Sequence, residues 1–222
     1  MSLTEDSRMR GVVLLCGQKP PSFPEPTEFE TVLLPSCPGK AAVDPWLENT
    51  DRLVIAGTDA DLAAVITRLL RKQRLNSITV GFIPAKDSVA AKRWQLPSDT
   101  EAAFSLALHG VAKPQVLIRD DAGGILVGQG VLNQIDGEAY CDEELVLRGK
   151  ARSIVVEPDA NGVSVRAVTG SLLKKTATAS GRAFQIGCHP TTLTLNGQVH
   201  SRLIRRWTWY RHVEDLQLAC NG

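Results

Sequence analysis

Several things are scarce in this chain, and each scarcity excludes a class of protein. Charge of one sign is missing: 25 basic against 24 acidic side chains leave a formal net charge of +1. No electrostatic case for bulk nucleic-acid or membrane-surface binding follows from that balance. Long hydrophobic runs are also missing, and none approaches the ~20 apolar residues a spanning helix needs. Met1 to Arg10 is polar and lacks the apolar centre of a signal peptide. The five cysteines (Cys16, Cys37, Cys141, Cys188 and Cys220) are scattered, odd in number and free of CxxC spacing. That pattern argues for reduced thiols in a cytoplasmic protein, against a disulfide framework and against a zinc knuckle.

What remains is ordinary for a globular chain: 222 residues, 43% hydrophobic and 22% charged, enough for one large domain or two small ones. The first half alternates strand and helix signals. Gly11–Cys16 and Phe29–Leu34 read as strands, separated by Gln18–Thr27, whose four prolines forbid a useful helix. Asp51–Ala56 and Ser77–Ile83 are further strands. Helices are expected from Leu62 onward, over Asp87–Trp94 and over Thr100–His109. Such alternation implies a largely parallel sheet. After about Lys113 short β-type runs separated by turns take over, from Val116–Arg119 to Asp215–Ala219. The expected architecture is therefore an α/β domain over residues 1–112 and an all-β, sandwich-like domain over 113–222.

The most informative segment is Asp51–Lys72, a buried strand, a tight turn and an amphipathic helix with apolar residues at 62, 65, 66, 69 and 70. Turns in this position hold phosphates when glycines let backbone N–H groups approach the anion. Here the turn is Gly57-Thr58-Asp59-Ala60-Asp61. Thr58 and Asp61 have capping-box spacing and would satisfy those N–H groups themselves. Asp59 and Asp61 add negative charge where the helix dipole would attract an anion, worth roughly 0.3–1 kcal/mol each.

Four stretches together resemble the diacylglycerol kinase family, within the wider group of lipid, sphingosine and NAD kinases. Gly57–Asp61 stands where that family has GGDGT. Ile83–Pro97 is similar to its segment IPLGTGNDFARSLGLP, one residue shorter. Val156–Gly162 is similar to P-x-A-x-x-D-G, and Leu193–Leu218 to a closing segment with a DGE motif and an R-x-W strand. The resemblance covers most of the chain in order. It implies an ATP- and Mg²⁺-dependent kinase fold with phosphate loops at Gly57, Thr58, Asp59, Asp61, Lys86 and Ser88.

The departures fall on the chemistry. GGDGT has become GTDAD, which keeps Gly57 and Asp59. GTGND has become Ala85-Lys86-Asp87-Ser88-Val89. DGE, to which the family assigns base or metal-related roles, is Asn196-Gly197-Gln198, and amides cannot accept a hydroxyl proton. The NPxSG-type turn is replaced by Gly17-Gln18-Lys19-Pro20-Pro21-Ser22. The expectation is a degenerate relative that binds a lipid, a nucleotide or a partner without catalysis. The alternatives are an active kinase that uses Asp59 with Lys86 or Lys19, and a structural subunit whose exposed β edges form a homodimer.

Other clusters have simpler readings. Arg202, Arg205, Arg206, Trp207, Trp209, Tyr210 and Arg211 could form a phosphate or single-strand patch. Period 2 instead puts Trp207, Trp209 and Arg211 on one side of a half-buried strand. Cys188-His189 with His200 lacks a fourth metal ligand. Asp120, Asp121, Asp136 and Glu138 could hold Mg²⁺, but Asp121–Gly124 reads better as a hairpin turn, and Asp136-Gly137-Glu138 as a second turn.

Overall fold

The computed structural model describes residues 10–17, 28–170 and 175–221. The four-proline stretch and Lys19 lie outside the described residues. Two sheets account for the strands. The first has strands β1 (Gly11–Cys16), β2 (Glu30–Leu34), β3 (Arg52–Gly57), β4 (Thr79–Pro84) and β5 (Ala112–Gln115), joined by β16 (Leu216–Ala219), in the order β2-β1-β3-β4-β16-β5. β1 to β4 are parallel, as expected for strands alternating with helices, and β16 runs parallel to β4 but antiparallel to β5. The helices are α1 (Lys40–Val43), α2 (Asp59–Arg71), α3 (Val89–Arg93) and α4 (Thr100–His109), with a 3-10 turn at Asp44–Leu47.

Side-chain alternation divides the parallel strands between two cores. Val12, Leu14, Leu53, Ile55 and Val80 pack with α2, and Val13, Leu15, Val54, Ala56 and Ile83 pack with α4. Both faces are covered, which is why these strands read as unbroken apolar runs. Arg52 is buried in this layer and donates from Nη1 to Ala107 O (2.9 Å) and from Nη2 to Gly110 O (2.8 Å). It thereby closes the carbonyl end of α4 with a cation.

The second sheet is antiparallel. It contains β6 (Ile118–Asp120), β7 (Ile125–Leu126), β8 (Gly130–Cys141), β9 (Glu144–Pro158), β10 (Val163–Thr169), β11 (Lys175–Gly181), β12 (Ala183–Thr191), β13 (Leu193–Leu195), β14 (Gln198–Val199) and β15 (Ile204–Arg211). Its main path is β11-β10-β9-β8-β12-β15-β6-β7, with β13 pairing β8 and β14. The sheet curls so that β10 approaches β12 and β15. One continuous sheet thus supplies both layers around Leu132, Ile154, Val165, Phe184, Trp207 and Trp209.

Two expectations change. Asp136-Gly137-Glu138 is no turn but the middle of β8, paired with β9 and β12. A Cβ on Gly137 would collide with the Gly187 carbonyl, so this glycine serves close strand packing rather than a reversal. Asp215–Ala219, grouped by its sequence with the β-rich half, places β16 in the first sheet. The hairpin at Asp121–Gly124 forms as expected: Asp120 Oδ1 accepts the Gly124 N–H (2.7 Å) between β6 and β7. Among the described residues no helix is long and apolar enough to cross a membrane.

Candidate functional site

The chain leaves β1 toward β2 on one side and returns to β3 on the other. The crevice outside the carboxyl ends of these strands is therefore a topological switch point, the usual ligand position in open α/β sheets. Two adjoining hollows lie there. One of about 440 Å³ is bounded by Cys16, Gly57, Thr58, Asp61 and Lys86 among others. The second, of about 240 Å³, is bounded by Thr58, Asp59, Lys86, Ser88, Asn196 and Gly197 among others. Gly57, Thr58, Asp59, Asp61, Lys86, Ser88, Asn196 and Gly197, drawn from sequence positions far apart, thus border one crevice. Gln198 lines neither hollow and is exposed on β14.

The turn after β3 forms the capping box its spacing implies. Thr58 Oγ1 accepts the Asp61 N–H (3.2 Å) and donates to Asp61 Oδ2 (2.7 Å), which also accepts the Thr58 N–H (2.8 Å). Asp61 Oδ1 accepts the Cys37 N–H at 2.6 Å. Asp59 turns the other way, to the start of α3. Its Oδ1 accepts from Ser88 Oγ, and its Oδ2 accepts the N–H groups of Val89 (2.9 Å) and Ala90 (3.2 Å). Ser88 Oγ takes the Ala91 N–H (2.9 Å). Every carboxylate oxygen of the two aspartates is therefore engaged by the chain itself, and both side chains are buried.

Asn196 and Gly197 have φ of 49° and 84° between β13 and β14, where Thr194 pairs with Val199 and Leu195 with Gln198. This is a two-residue hairpin turn with both central residues left-handed, the conformation Asn-Gly favours. The buried Asn196 amide clasps the loop before β8. Its Oδ1 accepts from the Val127 and Gly128 N–H groups (3.0 Å each), and its Nδ2 donates to Ile125 O (2.8 Å). A carboxylate at this position could accept but not donate.

Electrostatically, Lys86 is exposed and borders both hollows. Burial, reinforced by Asp61, pushes the Cys16 thiol up to about 12, so it lines the larger hollow as a neutral group rather than a nucleophile. Arg93 was not singled out from sequence. Burial pulls its guanidinium down to about 10, opposed by Asp59, Glu157 and Asp159, and it lies over the Trp94 ring at 4.5 Å. The Cys37 contact and the capping of α3 by Asp59 were also missed, since both join segments 24 or more positions apart.

Solved structures with this arrangement of sheets settle the fold. A diacylglycerol kinase from Bacillus anthracis superposes with a TM-score of 0.67 at 11% identity, covering 97% of this chain and 98% of that one. An NAD kinase from Archaeoglobus fulgidus in complex with ATP gives 0.59 at 11% identity, covering 96% and 94%. The fold is that of the diacylglycerol and NAD kinases. A yeast NADH kinase complexed with NADH has the same kinase fold, with a TM-score of 0.54 at 10% identity over 98% of this chain and 85% of that one. No protein-family model and no curated protein matches the sequence.

Proposed function

We propose that this chain is a non-catalytic relative of the diacylglycerol and NAD kinases, whose crevice takes a small ligand or a partner segment instead of turning over ATP. On this reading the crevice lies between an α/β unit of residues 1–112, which β5 and β16 extend beyond that boundary, and a β unit formed by the other strands of residues 113–222. The observation that carries the reading is the engagement of all four Asp59 and Asp61 oxygens by backbone and side-chain donors of the chain itself. Phosphoryl transfer depends on positioning and on neutralising phosphate charge around Mg²⁺. Here the Thr58 and Asp61 N–H groups at the start of α2 and those of Val89, Ala90 and Ala91 at the start of α3 are taken, and both Asp59 and Asp61 are committed to donors of the chain. The residues present do not fit a Mg²⁺–triphosphate, and Asn196 and Gln198 offer no proton acceptor.

Calorimetric titration with ATP, ADP and Mg²⁺ tests this. The expected result is no saturable heat. Binding near micromolar Kd, about −8 kcal/mol, would overturn the reading.

The rival reading, an ATP-dependent lipid or small-molecule kinase with substitute residues, is favoured by the position of Lys86 between both hollows. It requires ATP turnover that Asp59→Asn abolishes, and the absence of any ATP-dependent turnover by the wild-type protein would exclude it. A structural role through a homodimer draws on β11, which pairs with β10 along one edge and ends its sheet. Light scattering that gives a monomer at all concentrations would exclude that role.

A further inference from the structure

The outward face of the second sheet carries a hollow of about 750 Å³, across β8, β12 and β15, that shares no lining residue with the crevice. Alternation puts Ala139, Ile186 and Trp207 into the core and Glu138, Gly187 and Arg206 outside. Gly187 is the floor, paired with Glu138 on one side and Arg206 on the other. Its φ lies outside the left-handed region, and a Cβ there would meet nothing within 4 Å. Neither backbone conformation nor packing within the chain requires glycine at 187. A glycine inside a strand marks a bulge or a close approach; here it precedes the bulge and leaves the floor of the hollow bare.

The walls are charged unequally. Glu138 is already compensated, with Oε1 accepting from Arg148 Nε (2.9 Å) and Oε2 from the Tyr140 hydroxyl (3.2 Å). Arg205 and Arg206 form no ion pair among the described residues. They are consecutive, yet both border the hollow. The pairing of β12 with β15 shifts between Gly187–Arg206 and Thr191–Ile204, so a bulge at residues 188–190 stands opposite Arg205. Arg205 and Arg206 thus border the same hollow as Asp136, which forms no ion pair among the described residues. His189 completes the rim.

We propose that this hollow binds a phosphomonoester, with the phosphate on Arg205 and Arg206 above Gly187. Two guanidiniums offer up to ten N–H donors, more than the two oxygens of a carboxylate can use. A phosphomonoester matches them with three acceptor oxygens and close to two negative charges, and arginine suits planar, bidentate contact with it. Tyr140 and Gln185 border the space left for the organic portion. The ester is free in solution or is a lipid headgroup, and the two sources separate experimentally.

Titration with glycerol 3-phosphate, with glycerol as the uncharged control, is run at about 150 mM ionic strength to screen loose surface attraction. Sedimentation with phosphatidic acid vesicles forms the second arm. Two variants are compared with wild type: Arg206→Gln, which removes the charge, and Gly187→Leu, which fills the floor from the exposed side without changing charge. The expected result is saturable binding in at least one arm, weakened about tenfold or more by each variant, the scale of one charge-assisted hydrogen bond. The thermal midpoints stay at the wild-type value. Binding to the soluble ester assigns a free ligand, and binding to vesicles alone assigns a headgroup. Absence of saturable binding in both arms overturns the proposal. So does binding that both variants leave unchanged, because the phosphate then sits elsewhere.

Discussion

Asp61 and Cys37 are joined by a 2.6 Å hydrogen bond from the Cys37 N–H to Asp61 Oδ1, which ties the start of α2 to the segment after β2. The other Asp61 oxygen closes the Thr58 turn, so one buried carboxylate holds two segments at the mouth of the larger hollow. Asp61→Ala removes these contacts and strands the donors. The expected loss is about 1.5–3 kcal/mol, the range for hydrogen bonds to a charged group. A lowered urea midpoint at unchanged slope is the readout.

Asn196→Asp replaces the clasping amide with the acid that the family motif carries. The new carboxylate faces the Ile125 carbonyl, where Nδ2 had donated across 2.8 Å. The variant is expected to lose about 1–3 kcal/mol, lowering the thermal midpoint by about 2–4 °C for each kcal/mol. It also gains no ATP turnover. A stabilised or active variant would show that the amide is incidental.

Gly81 in β4 lies directly against α4. A Cβ there would collide with the Ala107 carbonyl and its neighbouring backbone atoms, which cannot swing aside as a side chain would. Gly81→Ala is therefore expected to cost about 1–3 kcal/mol by overpacking, measured by denaturant unfolding.

Asp44 gives a pH signature. Arg68 grips it from Nε (2.8 Å) and Nη2 (2.9 Å), and Lys72 approaches to 3.4 Å. The Arg68 hydrogen bonds, helped by Lys72 and outweighing partial burial, hold its carboxyl below the usual range. A depressed folded-state value means that this pair contributes stability above the unfolded value of about 4 and loses it as pH falls through the folded value. Asp44→Asn should be less stable than wild type at neutral pH, with the gap closing in strongly acidic solution. Unfolding midpoints across a pH series check this. A gap that persists at the acid end would sink the assignment.

Local signals were legible where local physics decides the outcome. Thr58–Asp61 spacing gives the capping box. For α4 the sequence leaves Ser98, Asp99 and Thr100 as equal cap candidates, and Asp99 takes the role by accepting the Ala102 N–H (2.8 Å). The parallel strands are visible because burial on both faces makes them continuous apolar runs. Asn196-Gly197 carried an ordinary hairpin signal, passed over because the same letters also stood for an altered family motif. Asp59 capping α3 was not legible, since which oxygen meets which N–H depends on how β3 and β4 end side by side. Asp136–Glu138 misled because Asp-Gly signals a reversal locally, while cross-strand packing of Gly137 against β12 overrides it.

The pairing of Leu218 with Val80 has a consequence for synthesis. A ribosome making this chain releases β4 well over a hundred residues before its neighbour β16 exists. Until then β4 offers an open edge, and β5 has no partner in the first sheet. Early segments of a nascent chain usually fold as they emerge, but here the opening sheet waits for a late one. Translation pauses within the second sheet would prolong that exposed interval, the period in which an unpaired edge recruits the wrong strand.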